Sequence, residues 1–186
     1  APDTSTLSVW GRGVMPNYNK ETAPWAKHND VKHLVIRGDI TSIGTSAFKD
    51  FTKIEDVIIE APVTLINGMA FQGCTSLKNV VLPNTLKSIY GGVFKGCTNL
   101  KELVIPDSVT AIYGSLGGSN LEKLTTPFVG GGPDNTSETK TDQLGYMFGT
   151  TEYENTYAVK SRYDSKVKYF VPDSLKSVTV TQALYK

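Results

Sequence analysis

Few side chains in this 186-residue chain are of types that do chemistry readily: two cysteines, Cys74 and Cys97, and two histidines, His28 and His33. Nucleophilic catalysis needs a thiol or hydroxyl beside a base that a third group orients, and neither histidine stands in a recognisable pattern of that kind. A zinc site needs four ligands at finger-like spacing, which two cysteines and two histidines placed this way do not supply. Gly11 and Gly13 lack the third glycine and the helix of a dinucleotide fingerprint, and Gly130-Gly131-Gly132 runs into Pro133 instead of lysine and a hydroxyl residue. Neither is a phosphate cradle. Asp134, Glu138 and Asp142 could loosely gather calcium, although a solvated loop accounts for them better, and Asn135-Thr136-Ser137 is only formally a glycosylation sequon. The expectation is a chain with no catalytic residues, no cofactor and no resident metal.

Composition agrees with a folded domain. With 39% hydrophobic residues, 20% charged residues and a formal net charge of +1, the sequence does not read as a disordered tail, a nucleic-acid-binding patch or an acidic stalk. No stretch approaches the roughly 18 apolar residues that a membrane-spanning helix needs. Ala1 to Thr6 are small and polar, without a signal peptide's basic-then-apolar profile, and fit either a mature end left by cleavage or a cloning boundary.

The interval between the two cysteines organises the rest: it is 23 residues, and the same step runs through the chain. Ile43/Phe48, Ile66/Phe71 and Ile89/Phe94 repeat in register, Ile112 continues the series, and Val31, Ile54, Leu77 and Leu100 form a second ladder. Within one unit, Leu77, Val80, Leu82, Leu86, Ile89 and Phe94 are the apolar positions. The spacing of two between Val80 and Leu82 predicts a short strand with that face buried. Pro83 and Pro106 end it, and Gly68, Gly91 and Gly114 mark a turn that asks for backbone freedom. One such unit cannot bury enough surface to order itself, so neighbouring units must stack into a solenoid with a continuous core.

These residues resemble the BspA-like family of leucine-rich repeats, in which leucine, two residues, isoleucine, one residue, leucine-proline is followed by alanine-phenylalanine, two residues, cysteine. Ala47-Phe48, Ala70-Phe71-Gln72-Gly73-Cys74 and Phe94-Lys95-Gly96-Cys97 carry that pattern, specifically over residues 31–127. The resemblance implies a right-handed repeat superhelix, mostly β with short helical or 3-10 turns and a concave parallel sheet. It also implies a bacterial surface or secreted protein with a role in adhesion. Residues 1–30, with Leu7 to Gly13 and Ala23-Pro24-Trp25, resemble the segment preceding such repeats and read as a cap on the first coil.

Regularity fails after residue 127. The fifth unit starts early at Leu121 and puts Thr126 where others are apolar; residues 128–141 read as a mobile, glycine-rich excursion. The ladder returns at Leu175, Val178 and Val180, 54 residues beyond Leu121, which makes one unit the host of a large insertion spanning 128–170. Leu144 to Phe148 look like its degenerate isoleucine-to-phenylalanine section. Residues 171–186 hold the final strand, and the chain ends close behind it, as expected if more repeats or other domains follow.

Three groups are candidate binding residues. Asp56, Asn79 and Glu102, in series with His33 and Lys123, are outward positions of the strands and should face solvent. Val35, Ile58, Val81 and Val104 form the companion outward column, an apolar stripe about 15 Å long at strand spacing. It reads either as β-propensity on a half-exposed sheet or as a groove for a protein or glycan ligand. In the insertion, Tyr146, Phe148 and Tyr169 are expected to pack as substitute core, while Tyr153, Tyr157 and Tyr163 could form a recognition surface. The cysteines, in equivalent positions of adjacent coils, should be buried free thiols, since Phe51 fills the same column and their Cβ vectors run side by side. The expected function is a non-catalytic interaction module; the alternative is a structural spacer with no ligand of its own.

Overall fold

A computed structural model describes residues 5–19, 21–133 and 143–182. The chain winds as a parallel β-solenoid. In order it forms β1 (Thr6–Val14), β2 (His33–Ile43), β3 (Asp56–Ile59), β4 (Leu65–Ile66), β5 (Asn79–Val81), β6 (Ser88–Ile89), β7 (Glu102–Val104), β8 (Ala111–Ile112) and β9 (Lys123–Thr126). The insertion contributes a five-residue helix, α1 (Leu144–Phe148), and a hairpin of β10 (Thr156–Lys160) and β11 (Lys168–Pro172), before β12 (Ser177–Val180).

Two parallel ladders run across the coils. Concave strands pair in parallel with His33 opposite Asp56 and Asp56 opposite Asn79, while β4, β6 and β8 line up behind the first coil with Ile43, Ile66, Ile89 and Ile112 in one column. The eleven residues of β2 belong to both ladders, pairing with β3 at one end and β4 at the other, and so join them in one seven-stranded sheet. Consecutive coils face each other at 23-residue separation, so a side chain meets its counterpart one coil away.

That register builds the core from columns of like residues. Phe48, Phe71 and Phe94 are fully buried and stack nearly parallel, with centroids 5.5 Å and 5.9 Å apart. Trp25 extends the stack at the same 23-residue step, 5.0 Å from Phe48 and 14° from parallel. Its indole Nε1 donates to the Ala47 carbonyl at 2.7 Å, and Tyr18 meets its ring edge-on. The amino-terminal segment also places β1 beside β2 in parallel.

The glycine column has a different cause from the one its spacing implied. Gly91 does not adopt positive φ; a Cβ there would lie 3.3 Å from the Tyr113 carbonyl, and one at Gly68 would lie 3.2 Å from the carbonyl of Gly91. Close approach of the next coil selects glycine at both; only Gly114, at φ 47°, also needs the conformational freedom.

The insertion is more regular than its sequence. Ser177 to Val180 pair with Lys123 to Thr126 in the 54-residue register, so the solenoid resumes after the excursion. Met147 and Phe148 of α1 are buried, and Leu116 N donates to the Met147 carbonyl at 2.9 Å. Tyr169 is buried and meets Tyr146 edge-on at 6.5 Å. The glycine-rich stretch is partly solenoid too: Phe128 is buried and the Gly131 carbonyl accepts from Ile112 N at 2.9 Å. Asp134, Asn135 to Ser137, Glu138 and Asp142 lie outside the described residues.

Phe71 has a ring stacked on each side, so Phe71→Ala removes two contacts and leaves a cavity. The expected cost is about 3–5 kcal/mol, read as a lowered urea midpoint with unchanged slope; a wild-type midpoint would contradict this packing.

Candidate functional site

The strand pleat sends Leu34, Val57 and Leu103 inward to complete burial and leaves alternate positions outward. Those outward positions form the candidate site, a shallow cleft of about 340 Å³ lined by Thr6, His33, Asp56, Ile58, Asn79 and Val81, among others.

The polar column is cross-linked instead of simply solvated. His33 Nδ1 lies 2.7 Å from Asp56 Oδ2, Asn79 Nδ2 donates to Asp56 Oδ1 at 2.6 Å, and Lys123 Nζ donates to Glu102 Oε1 at 2.7 Å. Neighbouring columns do the same: Arg37 pairs with Glu60, Lys78 with Glu55, and Lys176 with Glu122. Hydrogen bonding to Lys78 and Lys176, then their charge, holds the Glu55 and Glu122 carboxyls below the ordinary value; the Glu60 carboxylate holds Arg37 above its own. These pairs lie at the surface, where each is worth little.

The apolar column is not uniform. Ile58, Val81 and Val104 are 39%, 55% and 60% exposed, but Val35 is only 8% exposed. It lies on a central strand between Ser8 and Ile58, bracketed along β2 by His33 and Arg37, both held to the next coil. The exposed stripe is therefore Ile58, Val81 and Val104. Between β5 and β7 the ladder lapses. Lys32, Glu55, Lys101 and Glu122 each accept, through their carbonyls, from two backbone N–H groups of the next coil, whereas β5 and β7 end separate sheets. Val81 and Val104 flank that seam.

One large residue of this face was not legible as such. Trp10 is 70% exposed and opposite Arg37 in the β1–β2 register, with the guanidinium carbon 5.9 Å from its ring centroid. The alternation of Leu7, Ser8, Val9 and Trp10, with Val9 buried, was the available signal. Tyr90 and Tyr113, 44% and 43% exposed with centroids 5.0 Å apart, form a second surface aromatic pair, detectable from their 23-residue spacing.

The insertion's tyrosines occupy different settings. Tyr153 packs its ring over Gly118, with Lys95 Nζ 5.7 Å from its centroid. Tyr157 is 49% exposed on β10, and Tyr163 lies beneath the Arg162 guanidinium at 5.6 Å. The hairpin is anchored through Phe170 N to the Gly149 carbonyl, behind α1.

His28 is exposed, and its backbone N donates to the Trp25 carbonyl. Both cysteines are buried free thiols, donating to the carbonyls of Phe48 and Phe71 at 3.2 Å. Burial pushes Cys97 up to about 12 and Cys74 well above the ordinary value.

With this geometry in place, comparison with known proteins identifies the class. Residues 25–128 match the BspA type leucine rich repeat region in six copies, and the chain belongs to that family. A leucine-rich repeat protein from Eubacterium ventriosum superposes with a TM-score of 0.66 at 22% identity, covering 94% of this chain and 48% of that one. This chain thus spans about half the length of that relative, and at such identity the likeness concerns the fold. The T. pallidum leucine-rich repeat protein is a more distant match, with a TM-score of 0.44 at 19% identity over 67% of this chain and 65% of that one. No curated protein sequence matches.

Both thiols should resist Ellman's reagent in the native protein and react fully on unfolding; rapid native labelling would contradict their burial. Their raised values contribute stability that is fully present below the unfolded thiol value near 9 and is lost as pH rises above it, for Cys97 up to about 12. Cys74→Ala/Cys97→Ala should therefore lose less stability than wild type across that window, measured as denaturation midpoint against pH.

Proposed function

We propose that this chain is a non-catalytic interaction module that holds a protein or glycan partner on its concave face, in a cell-surface or secreted protein. Membership of a repeat family supports an interaction or structural role. The observation that carries the binding reading is the exposed stripe of Ile58, Val81 and Val104, with Trp10 outward on the same sheet. Apolar side chains gathered on an otherwise ion-paired surface mark a place where water is displaced by a partner. The surface or secreted setting rests on the family resemblance alone.

A spacer role is favoured by a different observation. The continuous aromatic stack makes the solenoid self-sufficient without a ligand, and surface positions saturated by ion pairs with their neighbours need none. The stripe is what this reading leaves unexplained.

A displayed random peptide library selected on the wild-type chain separates the two. Selected clones should lose at least tenfold in affinity for Val81→Lys/Val104→Lys, whose circular dichroism and urea midpoint stay near wild type. Clones indifferent to the double variant, or no enrichment at all, would count against the concave face.

A further inference from the structure

Strands β10 and β11 form a two-stranded sheet of their own, apart from the ladders of the solenoid. A hairpin of two strands is marginal in water, and this one is supported along one edge. Ser161 N donates to the Val167 carbonyl and Asp173 N to the Asn155 carbonyl; by the alternation of an antiparallel ladder, the odd-numbered residues of β10 are therefore those bonded to β11. Phe170 N, opposite Ala158, turns the other way and donates to the Gly149 carbonyl behind α1. The main-chain groups of Thr156, Ala158 and Lys160 accordingly line the outer edge of β10, where no described strand lies.

The side chains of β10 are left uncovered as well. Tyr169 and Val171 of β11 are buried, yet Val159 and Tyr157, their cross-strand neighbours on the same face, are 37% and 49% exposed. Ala158 and Lys160 are exposed on the other face. Edges that must stay unpaired are commonly blunted by proline, by a bulge or by inward charges. β10 has no proline, its register with β11 runs unbroken, and its one charge, Lys160, stands at its end. Thr156, Tyr157 and Val159 are moreover of the types that favour strands.

We infer that β10 pairs antiparallel with β10 of a second copy of this chain, about a two-fold axis at Ala158, in the strand order β11, β10, β10, β11. Of the registers in which the outer-edge residues meet one another, the one centred on Ala158 engages all three from each copy: Ala158 faces itself, and Thr156 faces Lys160 of the second copy. That register also sets Tyr157 opposite Val159 of the second copy, an aromatic and β-branched pair of the kind that stabilises sheets, and keeps the two Lys160 ammonium groups apart. Two residues further along, it brings Glu154 opposite Arg162 of the second copy, so the exposed flanks are complementary in charge. Each of these contacts occurs twice across the axis. Neither strand of the hairpin belongs to the concave sheet, so this contact is independent of the face proposed for a ligand.

A single strand pair is smaller than a standard interface of roughly 1,200 Å² or more, so the whole chain should be half dimeric only between about 0.1 and 1 mM, read by sedimentation equilibrium across that range. Ala158→Lys, which sets two like charges at the axis, should raise the dissociation constant at least tenfold. Glu154→Arg should raise it about fivefold at low salt, since the repulsion is felt twice, and adding Arg162→Glu to that variant should restore the wild-type value. All three positions are exposed, so urea midpoints should stay near wild type, which separates lost pairing from misfolding. A chain monomeric throughout, a dimer indifferent to Ala158→Lys, or a charge swap that fails to restore pairing would overturn the assignment.

Discussion

Everything in this structure depends on one constraint: each coil must present to the next the same residue types at the same height. A single coil has too few apolar side chains to order itself, and its strands, two to four residues long in the middle coils, cannot form a sheet alone. Stacking at a 23-residue step resolves both problems together. Main-chain groups pair across coils, and the phenylalanines, isoleucines and thiols pile into columns that leave little room for exchange. The same step carries polar positions outside the core, where Glu55 holds lysines of the coils on either side, Lys32 and Lys78.

The surface follows from this. Outward positions that pair across coils are spent on each other, so a binding face has to be made from positions that do not pair, or from places where the stacking lapses. Ile58, Val81 and Val104 are of the first kind. The seam between β5 and β7 is of the second, and it lies where the polar column also breaks between Asn79 and Glu102. A further irregularity arises where a regular coil gives way to the insertion and Gly117 meets Phe148 and Tyr153 in place of another repeat.

The solenoid was legible because its cause is periodic: columns such as Ile43, Ile66, Ile89 and Ile112 are visible without any structure. The 54-residue offset from Leu121 to Leu175 likewise survived the insertion intact. What was lost lay where the step changes. Trp25 sits one step before Phe48 but is a different residue in a stretch read as a cap; only the ring stack shows that it continues the column. Trp10 belongs to a strand offset from its neighbour by 27 residues, so no 23-residue search aligns it with the concave face. Val35 followed the alternation but not the exposure, since burial depends on which strands flank a position. The hairpin of β10 and β11 pairs locally and is invisible to the period.

The central claim is that adjacent coils are stable only through each other. Native-state hydrogen exchange of the unmodified chain across low denaturant concentrations tests it directly. Amides of Ile66, Phe71, Ile89 and Phe94 should open with one common free energy and one denaturant slope, as a unit spanning both coils. Separate free energies and shallow, distinct slopes for the coil holding Phe71 and the coil holding Phe94 would show that each stands alone, and would contradict the account.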